Sequence, residues 1–404
     1  MDLVAPPAIS PVAKEPLPNA VHILTTGALD VTKSRMKNLL AVGLPLAMLG
    51  LLVLSMWYVG SRLGTLFGLT SRWQIQVGIV VVVIASMVAV FATAKSSIAV
   101  LGVLNVVGGY IVIFYLFLLL ALLGLHLVQL VWNPPMLGSG IGVLALAFVV
   151  TAVGAVLGHS FVVKETVISL PRLGKEITVM QISDVHIGHH RGRAYLEQIV
   201  AETNRRKPDL VIITGDLIDA GVALEPGVLE PLSGFAAPAY FVGGNHENYV
   251  DADRVFGLLA QYGVRVLRAE IVETHGLQLV GLDYMKADED TFDMHPSNDP
   301  RTIKSVLASL PLNKDIPSLL LHHSPVGVEY AAAAGIDLML SGHTHGGQVF
   351  PATLIAALAF PFNRGLHKTD KTAVFVTPGA GTFMARVRLG TSNEISLLRL
   401  TPGE

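Results

Sequence analysis

The sequence predicts a two-part protein, an all-α membrane domain of four transmembrane helices followed by a soluble α/β domain. Two observations carry that prediction. The first is the placement of charge. Of 404 residues, 52% are hydrophobic and only 14% charged, against ~25% charged in ordinary soluble domains. Between Asn38 and Val163 the only charged side chains are Arg62, Arg72 and Lys95, and none occurs from Ser96 to Val163. The second is a short plan used five times after Lys164, an apolar strand running into Asp, Asn or His.

The membrane half comes first. A bilayer needs roughly 20 consecutive apolar helical residues to cross it. Four stretches qualify: Leu39–Gly60, Trp73–Ala94, Ile98–Trp132 and Ser139–Leu157. Gly108–Gly109 offers the third a place to kink, but no polar turn interrupts it. It is read as one long helix, stopped by "WNPP" at 132–135. Residues 1–37 are Pro/Ala-rich with basic residues clustered before the first span, and read as a disordered leader rather than a cleavable signal. The organisation expected is therefore leader 1–37, transmembrane domain 38–160 and soluble domain 161–404.

With four spans, the leader, the loop near Lys95 and the soluble domain share one side. That side carries Lys14, Lys33, Arg35, Lys37, Lys95, Lys164, Arg172 and Lys175, and the other only Arg62 and Arg72. Basic loops stay cytoplasmic, so a multi-pass protein of a bacterial-type inner membrane with a cytoplasmic soluble domain is expected. His126 and His159 have no acidic partner in any span and read as interfacial or helix contacts rather than a proton path. That also weighs against a transporter.

A formal net charge of −2 gives no argument for nucleic acid as a partner, and the sequence leaves oligomeric state open. The absence of cysteine excludes disulfides, thiolate metal ligands and a cysteine nucleophile.

In the soluble half, "ITVMQISDVHIGHH" begins as a strand over Ile177–Ile182 and becomes polar at Ser183 and Asp184. A helical stretch over Arg193–Arg206 precedes "KPDLVIITGDLID", whose Leu210–Ile213 is a short buried-strand pattern. "APAYFVGGNHENY", "IPSLLLHHSP" and "GIDLMLSGHTHGG" repeat the plan. Open α/β sheets bind ligands at the carboxyl ends of their strands, so five polar clusters converge on one rim. Carboxylate and amide oxygens with imidazole nitrogens, and no sulfur, suit manganese, iron, zinc or a mixed pair. Gly215, Gly244 and Gly342 let the chain turn sharply where strands end.

In their order, "DVH", "GDLID", "GNHE", "HHSP" and "GHTHGG" resemble the calcineurin-like metallophosphoesterase superfamily, and most nearly its membrane-anchored bacterial branch. The likeness covers about Ile177 to Leu400; over the membrane half it is architectural only. It implies a four-layer αββα sandwich, two divalent cations (manganese favoured) and dinuclear metal-dependent hydrolysis of a phosphate ester or anhydride by solvent activated between them. By the same likeness Asp184, His186 and His345 hold one ion, and Asn245, His323 and His343 the other. Asp216 bridges both. His246 sits beside the phosphoryl group, stabilising its charge or protonating the leaving oxygen. The His-x-Pro pattern selects His323 over His322, which faces the other way on a strand. Because the domain is tethered, a lipid-linked or envelope-precursor phosphate is the substrate expected.

Around this set, Asp219 and Glu247 are candidates to support the histidines. "GHHRGR" at 188–193 offers His189, His190, Arg191 and Arg193 either to an anionic group or to solvent. His275, His295 and His367 read as surface residues. Arg386 and Arg388 lie in "GTFMARVRLG", where the resembling proteins carry an aromatic and prolines, so a substrate role for them is in doubt. The apolar "FPATLIAALAFPFNRGLHK" at 350–368 reads either as core or as a lip facing the bilayer. The competing reading of the whole is a non-catalytic membrane scaffold or sensor. A degenerate member would have lost His246 or a ligand, and all are kept.

Overall fold

The computed structural model describes residue 43 and residues 45–403, apart from 292, 294, 296, 298 and 370. The expected leader over 1–37 and the start of the first span at Leu39 lie outside the described residues. Among these residues, four helices are long and apolar enough to cross a membrane: α1 (Pro45–Leu66), α2 (Arg72–Thr93), α3 (Ala99–Val128) and α4 (Met136–Leu157). The first ends six residues beyond the expected Gly60. Arg62 is tolerated there because its guanidinium donates to the Gln129 side chain just past α3. The third stretch is one uninterrupted helix, and a turn through Trp132 ends it before Pro135 starts α4.

The rest of the chain builds two six-stranded sheets. The first takes β1 (Phe161–Leu170), β2 (Ile177–Ile182), β3 (Leu210–Thr214), β4 (Ala239–Val242), β5 (Val264–Val266) and the last strand of the chain, Asn393–Pro402. The second takes β6 (Glu270–Thr274), β7 (Leu277–Gly281), β8 (Ser318–Leu321), β9 (Leu338–Ser341), β10 (Gly365–Lys368) and β11 (Ala373–Val376), which makes the last strand β12. β2 to β5 run parallel, as do β7, β8, β9 and β11. β12, β6 and β10 add antiparallel pairings.

Strand periodicity explains the layering. Alternate residues of a strand point to opposite faces. In β3, Leu210 and Ile212 face the second sheet and pack with Leu279, Leu319 and Leu340, while Val211 and Ile213 face outward. There they meet Leu196 and Ile199 of α5 (Arg193–Arg206) and Val255 and Leu259 of α7 (Ala252–Gln261), which follows the short α6 (Asn245–Val250). The second sheet is covered likewise: Val280, Leu320 and Met339 pack on α8 (Ile303–Ser309) and α9 (Val328–Ala334). Strands buried on both faces read as continuous apolar runs, and the result is helix, sheet, sheet, helix.

The membrane helices and the sandwich share a core. Val349, Ala385 and Val387 of the α/β domain pack in one cluster with Ile113, Phe117, Val143 and Ala147 of α3 and α4. The Arg388 N–H donates to the Gly154 carbonyl of α4 at 2.9 Å, and the Gly221 N–H to the Ala94 carbonyl at the end of α2 at 3.0 Å. A Cβ on Gly109 would lie 2.2 Å from the Met384 carbonyl oxygen, so only glycine lets the two backbones approach there.

Candidate metal centre

Five strand ends from both sheets deliver the polar residues to one rim. Asp184 and His186 follow β2, Asp216 follows β3, Asn245 opens α6 after β4, His323 follows β8, and His343 and His345 follow β9. Two groups form. In the first, ligand atoms of Asp184, His186 and His345 lie within 4.8 Å of one another; in the second, those of Asp216, His323 and His343 do. His186 Nε2 is 3.1 Å from His345 Nε2, which is 3.4 Å from Asp184 Oδ1. His323 Nε2 is 3.0 Å from Asp216 Oδ2 and 4.0 Å from Asp184 Oδ1, so the groups adjoin. Asn245 is buried after Gly244, where a Cβ would lie 2.1 Å from Asp216 Oδ1.

The backbone is bent to make this rim. Asp184, His186, Asp216, His343 and His345 all have positive φ, between 50° and 72°. Such a conformation costs a non-glycine residue about 1–3 kcal/mol, and persists only where surroundings over-determine it. Here they do. The N–H groups of Asp184 and His186 donate to the Gly215 and Asp216 carbonyls at 3.0 and 3.1 Å. The His343 N–H reaches the Asp184 carboxylate at 3.1 Å. Gly342 has no room for a side chain, since a Cβ would lie 2.2 Å from Asp184 Oδ2. The left-handed turns expected of glycines are thus made largely by the ligand residues themselves.

The donor set suits divalent cations. His323 Nδ1 donates to the Thr214 carbonyl at 2.7 Å, which turns Nε2 toward the centre. Burial opposes charging this ring, but Asp216 and Asp184 outweigh burial and raise its pKa to about 10, so a cation would take the place of a proton there. Asn245 Oδ1 is buried without a hydrogen-bond partner, an arrangement that costs free energy unless something fills it. Burial, then the neighbouring His323, holds His343 well below the usual imidazole range; burial, then His186 and Arg388, does the same for His345. Neutral imidazoles are what a cation requires.

His246 differs. Its Nδ1 lies 2.7 Å from Asp219 Oδ1, its Nε2 is 3.9 Å from Asp216 Oδ2, and its ring stands edge-on to His186 at 4.7 Å. Burial opposes charging it, but Asp216 and Asp219 outweigh burial and raise its pKa to about 9. Asp219 also faces His186 Nδ1 at 3.5 Å, so one carboxylate orients two rings. Glu247 supports the loops instead of the histidines: it accepts from the N–H groups of Asp216, Ile218 and Gly244 at 3.0, 3.1 and 2.7 Å. His322 is fully buried and bonded to the Ser324 carbonyl at 2.7 Å.

Several expectations change. His295 is no surface residue: its Nδ1 meets the Tyr249 hydroxyl at 2.6 Å and its ring stands edge-on to His343 at 5.4 Å. The "GHHRGR" loop is a joint with the membrane helices. His189 bonds the Thr93 carbonyl at 3.1 Å, His190 stands edge-on to Tyr110, and Arg191 donates to the Gly158 carbonyl at 2.7 Å. Arg193 pairs with Glu197 and Glu230. Arg388, whose substrate role the sequence put in doubt, is fully buried and donates to the carbonyls of His345, Pro378 and Gly381 at 2.6–2.7 Å, stapling the loop of His345. The segment with "FMARV" lies against α3 and α4. In the 350–368 segment, Phe360 stands edge-on to His343 at 5.9 Å and belongs to the metal centre's wall. The exposed apolar face is that of α10 (Ala352–Ala359).

The calcineurin-like phosphoesterase family model matches residues 177–347, the span that holds all seven proposed ligands and His246. A metallophosphoesterase of Aquifex aeolicus is 30% identical over 236 residues, which is 57% of this chain and 87% of that protein. This chain belongs to the calcineurin-like metallophosphoesterase family. A metallophosphoesterase of Helicobacter pylori is 33% identical over 245 residues, 59% of this chain and 64% of that protein. The transmembrane protein with metallophosphoesterase domain of Danio rerio is 33% identical over 274 residues, 62% of this chain and 61% of that protein. The matches thus span just under two thirds of those two relatives.

Proposed function

We propose that this protein is a membrane-anchored hydrolase of a phosphate ester or anhydride. The observation that carries this reading is the pair of adjoining ligand groups with His246 beside them, held by Asp219. Two bound divalent cations, with manganese favoured, would supply Lewis acidity and lower the pKa of water toward neutrality. Asp184, His186 and His345 would hold one, Asn245, His323 and His343 the other, and Asp216 would touch both. The protein's own part is positioning and proton transfer. A water oxygen bonds to phosphorus, the bond from phosphorus to the leaving oxygen breaks, and His246 gives the proton at Nε2 to that oxygen. Asp219 keeps the ring oriented throughout. No side-chain nucleophile is required.

The finer reading is a lipid-linked or envelope-precursor phosphate as substrate. It is supported by α10, which starts beside the shared core and exposes Leu354, Ile355 and Leu358 by 57%, 65% and 90%. The basic residues near Lys95 and Lys164 favour a cytoplasmic catalytic domain in a bacterial-type inner membrane. The scaffold reading has no residue in its favour, since the full set is present.

The test is a screen of the purified full-length protein, with manganese added, against nucleotide, sugar-nucleotide and phospholipid phosphates. His246→Gln is expected to lower kcat about 10²–10⁴-fold while leaving metal content unchanged. Asp216→Asn serves as the blank. Metal-loaded protein inert on every phosphate class contradicts the hydrolase reading.

A further inference from the structure

A cavity of about 420 Å³ lies between the end of α2 and the metal centre. Its membrane side is made by Phe91, Ala94 and Asn105, its opposite wall by Phe383 and Met384, and His246 lines it together with Asp219. Phe91 is 58% exposed on the face of α2 that lipid would meet. It lies two residues before the end of α2 at Thr93, with Lys95, which also lines the cavity, just beyond, so the mouth sits at the end of the apolar span. Asn105 donates to the Val90 carbonyl at 2.7 Å and to Thr93 Oγ1 at 3.2 Å, and His189 reaches the Thr93 carbonyl. The wall is therefore pinned rather than loosely packed. The volume falls within the ~300–1,000 Å³ of pockets that enclose small ligands.

We propose that this cavity binds the apolar chain of a membrane-resident phosphate ester, entering sideways from the bilayer past Phe91, with the phosphate at the metal centre and the chain-bearing oxygen at His246. The inference rests on the hydrolase reading for its chemistry and on the cavity for its specificity. Water adds its oxygen to phosphorus and the bond from phosphorus to the chain-bearing oxygen breaks. That oxygen takes the His246 proton, leaving a long-chain alcohol in the cavity and phosphate on the polar side. The substrate class is an amphiphile whose apolar part is the leaving group. Phe91 and Ala94 are specificity-determining residues, because they touch the chain and not the reacting atoms.

Two measurements on the full chain in detergent micelles, loaded with manganese, test this. Hexadecyl phosphate carrying a diazirine in mid-chain should crosslink within residues 90–95 or 383–384, in the wild type and in Asp216→Asn alike. Release of inorganic phosphate from hexadecyl phosphate should exceed that from butyl phosphate at least 30-fold in kcat/KM. Ala94→Trp, which fills the cavity, and Phe91→Ser, which removes its wall without adding bulk, should each cut that ratio at least tenfold. Val131→Ser, 90% exposed beyond the opposite end of α3, should keep it. Crosslinks confined to other lipid-facing positions, or a chain preference that both cavity variants leave intact, would overturn the proposal. If crosslinks map to the cavity while neither phosphate is hydrolysed, the placement of the chain on the leaving oxygen is overturned, and the hydrolase reading is decided separately by the screen over all phosphate classes.

Discussion

The two ends of the long membrane helices carry the same residue types and do different things. On α3, Gly109 lies so close to the Met384 carbonyl that a Cβ would meet it at 2.2 Å, whereas Gly124, four turns on, has nothing within 4 Å. Gly154 of α4, and Gly158 just past its end, lie against Val387 and the Arg386 backbone, whereas Gly138 and Gly142 are open and Gly140 meets only Leu66 and Phe67 at the end of α1. Polar side chains are bonded at both ends but have different partners. Asn105 and Thr93 knit α2 to α3 near the joint, and Arg191 reaches the end of α4. One end of the bundle is a docking surface shaped to the α/β domain. Among the described residues, the other is held only by contacts among the helices themselves, such as Arg62 with Gln129 and Tyr58 with the Leu122 carbonyl. Helix composition alone gives no means of separating the two.

Breaking the joint should therefore cost far more than changing the open end. The largest effect is expected at Arg191, which is 3% exposed, bonds the Gly158 carbonyl and Thr382, and stacks over Tyr195. Arg191→Met leaves those acceptors without a charged donor and should lower stability by about 3 kcal/mol, read as a drop in the thermal midpoint in detergent. A smaller effect separates the glycines. Gly109→Ala should destabilise by about 1–3 kcal/mol as the backbones are forced apart. Gly124→Ala should be neutral or stabilise by up to ~1 kcal/mol, the ordinary helix gain of alanine. Equal midpoints for the two glycine variants would remove the distinction between the ends.

Much of this was legible in the sequence, for physical reasons. The absence of charge from Ser96 to Val163 marks lipid, because burying an unpaired charge is costly. β2 and α5 fall where their apolar patterns put them, and the strand-end clusters converge because parallel strands present the same end to one rim. What escaped depends on long-range contact. Arg388 reaches carbonyls up to 43 residues away, which no local pattern announces. His295 stands in a stretch without strand or helix signals, and only the fold carries it to His343. The "GHHRGR" loop has the composition of a solvated turn, and its partners are helix ends some 30 to 95 residues earlier.

The central claim is that two cations sit side by side on this rim, and metal counting tests it most directly. Protein purified with manganese, gel-filtered and measured by inductively coupled plasma mass spectrometry should hold two ions per chain. His345→Ala and His323→Ala should each lower the count toward one, and Asp216→Asn should lower it further. Two ions retained in all three variants, or a fully active wild type with none, would contradict it.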